Sequence, residues 1–153
     1  MDIRMTLAGG LATMVTTLAV AGQSATFTVI GPGTAVDVSP DGTYVTGTNG
    51  ADSFIWTAEG GQVMVPAGGF AVAISNDGMT LAGSQVEYED GDGDFVDSAG
   101  NWTMADGWLP FGGFGMTGCP SVSTAYGMDG SGEVVVGLGW DGCSAGAFRW
   151  TAG

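Results

Sequence analysis

Ala35–Gly47 reads AVDVSPDGTYVTG and Ala71–Gly83 reads AVAISNDGMTLAG, the same thirteen-residue unit with six identities. Ala125–Gly137, AYGMDGSGEVVVG, is a third and weaker copy that keeps the opening Ala, a turn Gly (Gly42, Gly78, Gly132) and the closing Gly. Each copy has the form of a β-hairpin. Val36 and Val38 fall at alternate positions, as do Val72 and Ile74 and Tyr126 and Met128, which is the period-2 face of a strand. Asp41-Gly42, Asp77-Gly78 or Gly130-Ser131-Gly132 follows, and Gly accepts the positive φ that a tight reversal requires. A second strand then carries Val45, Leu81 or Val135.

A Trp-Thr pair follows every hairpin: Trp56-Thr57, Trp102-Thr103 and Trp150-Thr151. After the first come Glu59-Gly60-Gly61 and the run Gln62–Val65; after the second come Asp106-Gly107 and Trp108-Leu109. One unit is therefore a hairpin, a Trp strand, a Gly turn and a fourth strand. The expected fold is all-β, built from about three four-stranded antiparallel units of β-propeller type, over about 27–66, 67–111 and 120–153. The regular placement of the three Trp favours packing between units, with stacking on a sugar as the alternative reading. Propellers close with typically 4–8 blades, so three units make an incomplete propeller. The sequence stops at Gly153 before a fourth strand of the third unit. That leaves two expectations, a piece of a longer reading frame or a subunit whose open strand edges meet a partner.

The motif A-x-x-[IV]-S-x-D-G-x-x-[VL]-x-G, with Ala147-Phe148-Arg149-Trp150-Thr151 further on, resembles the HAF repeats, a family of probable extracellular repeats. Ser53–Thr57 and Ala99–Thr103 depart from the AFRWT element. The resemblance covers roughly residues 27–153 and implies secretion and a propeller-like β fold. It implies no activity and no catalytic residue.

Composition agrees with short strands. Thirty of 153 residues are Gly, against an average near 7%, and interior Gly disfavours long helices by about 1 kcal/mol each relative to Ala. The chain is nevertheless 44% hydrophobic with 15 aromatic residues, too apolar for a solvated coil. Sixteen acids stand against two bases, Arg4 and Arg149, for a net charge of −14. Such a surface repels nucleic acid and anionic lipid. The absence of His removes Ser-His-Asp and Cys-His catalysis from this chain.

Arg4 followed by the uncharged run Thr6–Ala21, ending in Ala19-Val20-Ala21, reads as a signal peptide over 1–21 with residues 22–153 as the β-repeat domain. Sixteen residues are short for a membrane span, which needs about 20. The expected location is secreted or cell-surface, with no membrane insertion after cleavage; a buried N-terminal element is the alternative. Export favours a Cys119–Cys143 disulfide. The two cysteines are equidistant from Ser131, and residues equidistant from a hairpin turn face each other. The bridge would close 23 intervening residues and add about 3 kcal/mol. Two free thiols are the alternative.

The second unit is longer than the first by an acidic stretch, Glu87, Glu89, Asp90, Asp92, Asp94 and Asp97. Asp90, Asp92 and Asp94 fall at positions 1, 3 and 5 of an EF-hand-like calcium loop, and Asp97 could add an oxygen. Phe95 stands where that loop needs its turn Gly and Asn101 where it needs Glu, so a solvated acidic loop is the competing reading. Trp108, Phe111, Phe114 and Trp140 lie outside the repeated core positions and are the candidate contacts for an extracellular protein or glycan. The functional expectation is a non-enzymatic binding or structural module, with self-association as one partner class. A carboxylate hydrolase is the third reading. It would have to use Asp37 and Glu133, the two acids expected inside strands.

Overall fold

The computed structural model describes residues 26–66, 68–89, 95–113, 123–141 and 144–152. All of their regular structure is β. The first sheet runs β1 (Thr34–Val38), β2 (Val45–Asn49), β3 (Asp52–Thr57) and β4 (Gly61–Val65) in sequence order. The second runs β5 (Gly69–Ile74), β6 (Thr80–Glu89), β7 (Phe95–Thr103) and β8 (Gly107–Pro110). The third has three strands among the described residues, β9 (Ser123–Met128), β10 (Val134–Asp141) and β11 (Ser144–Thr151), with β11 at its edge. Every pairing is antiparallel, and none of the three sheets closes on itself.

The repeat is reproduced atom by atom at the hairpin turns. Ser39 N donates to Tyr44 O and Gly42 N to Ser39 O; Ser75, Thr80 and Gly78 repeat both bonds, as do Asp129, Val134 and Gly132. The turn glycines have φ of 75°, 70° and 81°, the left-handed region that side chains avoid. The closing glycines have a different cause. A β-bulge places one extra residue on the first strand of each hairpin, Val36, Val72 and Tyr126. Just past it the first strand's carbonyl (Thr34, Phe70, Thr124) lies where a Cβ on Gly47, Gly83 or Gly137 would go. Only a residue without a side chain lets the two strands come that close.

The second sheet shows one face to the first sheet and the other to the third. A cross-strand row that recurs in the three sheets is Val38–Val45–Trp56, then Ile74–Leu81–Trp102, then Met128–Val135–Trp150. The second row packs with Val65, Tyr44 and Ile55 of the first sheet, and Leu81 is fully buried there. Burying one such Leu contributes about 1.5–3 kcal/mol. The third row packs on Ala73, Ala82 and Ala99 of the second sheet. The small alanines let the backbones approach, so Trp102 and Trp150 fill the space between successive sheets.

The acidic stretch departs from the expected loop. β6 and β7 continue as a ladder to Glu89↔Phe95, so Glu87, Glu89 and Asp97 belong to strands and only 90–94 connect them. Asp90, Asp92 and Asp94 lie outside the described residues, as do the segment 1–21, Phe114, Cys119 and Cys143. The register next to the cysteines is described. Past the Tyr126 bulge the pairs Gly137↔Ala125, Leu138↔Thr124 and Gly139↔Ser123 are centred on Ser131.

Candidate functional site

A concavity lies where the second and third sheets meet. It holds about 160 Å³ and is lined by Phe111, Gly112, Gly113, Ser123, Gly139, Phe148, Arg149 and Trp150. Its shape is set by hydrogen bonds where β8 ends. Phe111 N donates to Ala99 O at 2.7 Å, and Gly112 N donates to Ser98 Oγ at 2.9 Å. Ser123 Oγ donates to Gly112 O and accepts from Ala99 N at 2.9 Å, tying the third sheet to the second. The chain so held lays Phe111 on Trp150, with ring centroids 3.9 Å apart and planes 12° from parallel. Such a pair contributes about 0.5–1.5 kcal/mol beyond its burial.

Drug-sized ligand pockets measure roughly 300–1,000 Å³. A cavity of this size takes one side chain or one sugar ring. Its lining is mainly aromatic and glycyl, with Ser123 and Arg149 as its polar residues.

The four expected contact residues part company. Phe111 is half-buried at this cavity. Trp140 is 39% exposed on the outer face of the third sheet. Trp108 is 8% exposed and lies in the core between the first two sheets, with no free face for a ligand. The cause is a substitution inside the repeat. The residue opposite the closing glycine is Phe54 in the first sheet and Phe148 in the third, but Gly100 in the second. Trp108 fills that vacancy, its Cη2 2.8 Å from where a Cβ on Gly83 would stand. Trp150, expected mainly as packing between units, and Phe148, for which no role was expected, both line the cavity.

The carboxylates have local work. Asp41 accepts from Ser39 Oγ at 2.7 Å, Thr43 N at 3.0 Å and Thr43 Oγ1 at 2.6 Å, and these bonds lower its pKa from 3.8 to about 2. Asp77 is lowered by the Ser75 hydroxyl and Met79 N, and Asp129 by the Ser131 hydroxyl and Val134 N. Asp37 lies inside β1 and accepts from Ile74 N of the second sheet at 3.0 Å. Glu133 is exposed and precedes β10, so it is not inside a strand as expected. Asp97, the one described member of the calcium set, is exposed on β7. The turn network was legible in part. Ser39-x-Asp41 and Ser75-x-Asp77 become Asp129-x-Ser131 in the third copy, an exchange of donor and acceptor that similarity scoring misses.

Comparison with known proteins found no matching family model, no matching curated protein and no matching solved structure.

Proposed function

We propose that the chain is a secreted or cell-surface, non-enzymatic β-propeller-like repeat module that binds an extracellular protein or glycan. The observation that carries this reading is the aromatic cavity at Phe111 and Trp150, formed where two repeated sheets meet. The face-to-face order of the sheets supports blades, and the resemblance to HAF repeats supports an extracellular setting. A hydrolase is the weaker reading. Of its two candidate acids, Asp37 is engaged by Ile74 N of the second sheet and Glu133 lies outside the strands.

Retention of the full chain on immobilised neutral polysaccharides, compared with Phe111→Ala, tests the cavity. Loss of retention with an unchanged melting temperature supports it; equal retention removes the cavity from the reading. Export and the Cys119–Cys143 bridge are tested by the intact mass of protein from culture medium, with and without reduction before alkylation. The reading expects cleavage after Ala21 and two thiols that react only after reduction. A calcium ion held by Asp90, Asp92, Asp94 and Asp97 belongs to the same reading. Melting in calcium and in chelator tests it, since a ligand of the native state alone raises stability.

A second reading, a subunit of an extracellular assembly, is favoured by the edge position of β11 in the third sheet. An edge strand offers unpaired N–H and C=O groups to an incoming strand.

A further inference from the structure

The contact between successive sheets occurs twice within the chain, and each of its surfaces occurs a third time with no sheet packed on it among the described residues. On the leading face, the rows Ile74–Leu81–Trp102 and Met128–Val135–Trp150 are covered by the preceding sheet. Their equivalent in the first sheet, Val38–Val45–Trp56, leaves Val38 52% exposed. Part of that face is covered by the chain itself, since Gln62 Nε2 donates to Pro32 O at 2.9 Å and Phe54 is buried.

The trailing face behaves in the same way. In the first two sheets it packs on the next sheet. In the third sheet it carries Val134, Val136, Leu138 and Trp140, with Val136 45% exposed although its neighbour Val135 is fully buried.

The turns give an independent sign. Tyr44 of the first sheet lies against Gly78 of the second, and Thr80 of the second lies 3.0 Å from where a Cβ on Gly132 of the third would stand. Gly42, the corresponding turn glycine of the first sheet, meets nothing within 4 Å. The residue equivalent to Tyr44 and Thr80 in the third sheet is Val134, by the shared backbone bond that closes each turn.

We propose that the outer face of the third sheet in one copy docks on the outer face of the first sheet in a second copy. This head-to-tail contact repeats the sheet-on-sheet packing already present twice in the chain, with Val134 seated over Gly42. The interface is heterologous, so it closes into a ring if the rotation between copies allows and otherwise extends as a filament. It uses sheet faces rather than strand edges, and it is independent of any ligand at the Phe111 cavity. Copies at −14 repel one another, so association strengthens with ionic strength as that repulsion is screened.

Sedimentation velocity of the full chain over a wide range of concentration and salt is the test, with Val38→Asp and Val136→Asp as variants. Each substitution buries a charge in one of the two surfaces and raises the dissociation constant by about tenfold or more. Each variant alone is then monomeric where the wild type associates. An equimolar mixture forms a one-to-one complex, because each variant keeps the surface that the other lacks. Near-UV circular dichroism shows whether the variants keep the native fold. If either valine variant loses it, Met64→Asp and Trp140→Asp make the same comparison. A wild type that stays monomeric throughout, variants that associate undiminished, or a mixture that stays monomeric would each overturn the proposal.

Discussion

The hydroxyl of Ser131 donates to the carboxylate of Asp129 at 2.6 Å, the reverse in sequence of the bond from Ser39 to Asp41 in the first copy. In the first two turns the leading residue is the serine, which also accepts the backbone N–H that starts the next strand, Tyr44 N at 2.9 Å and Thr80 N at 3.0 Å. In the third turn Asp129 itself accepts from Val134 N at 2.9 Å. Either order satisfies the same orphan donors. A double variant, Asp129→Ser with Ser131→Asp, is therefore expected to melt close to the wild type, while Asp129→Ala melts lower. A double variant as unstable as the single one would show that the two orders are not equivalent.

The Asp41 carboxylate makes stability depend on acid in a defined window. Its pKa in the folded chain is about 2, below its ordinary 3.8, because hydrogen bonds from Thr43 and Ser39 favour the charged form. A depressed pKa contributes stability above the unfolded value, and that contribution is lost as pH falls towards the folded value. Asp41→Asn should be less stable than the wild type at neutral pH. The difference should shrink below about pH 4 and vanish near pH 2, as measured by urea unfolding at several pH values.

Two glycines on facing strands separate steric need from composition. Gly83→Ala pushes a methyl group into Phe70 O and the Trp108 ring, and overpacking of this kind costs about 1–3 kcal/mol or more. At Gly127 the nearest atom to a new Cβ is Val136 Cγ2 at 3.6 Å, an ordinary contact, and Gly127→Ala should be neutral or slightly stabilising. Denaturation midpoints for the pair decide it; similar losses at both sites would refute the close-approach account of the closing glycine.

Trp108 packs by shape and not through its indole N–H, which is buried with no acceptor among the described residues. Trp108→Phe gives up no hydrogen bond and should cost far less than Trp108→Ala, for which a cavity of that size costs about 3–5 kcal/mol. Equal losses in calorimetry would point instead to a bond from Nε1.

The hairpins, the turn glycines, the Trp strands and the fourth strands of the first two units were legible because each has a local signature: alternation, Asp-Gly, or a Trp at fixed spacing. The bulges at Val36, Val72 and Tyr126 were not. A single extra residue leaves the pattern on either side intact, and only the partner strand shows the shift. The ladder out to Glu89↔Phe95 was hidden because acidic residues read as loop, whereas pairing is made by the backbone. The destination of Trp108 depended on Gly100, across two strands, and so lay beyond any local pattern. For the same reason Phe111 and Trp150 were each recognisable as aromatic residues of note, but their stacking on one another was not.

Among the described residues, only the second sheet has another sheet packed on both of its faces. Each sheet touches its neighbours in sequence, so cooperativity passes along the stack layer by layer. The chain should therefore fray from the outside inward. Amide deuterium exchange should be slowest along β6, where Leu81 and Ala82 are both fully buried, and faster in the first and third sheets. A neighbour seated on either outer sheet would slow that sheet's exchange while leaving the middle one almost unchanged.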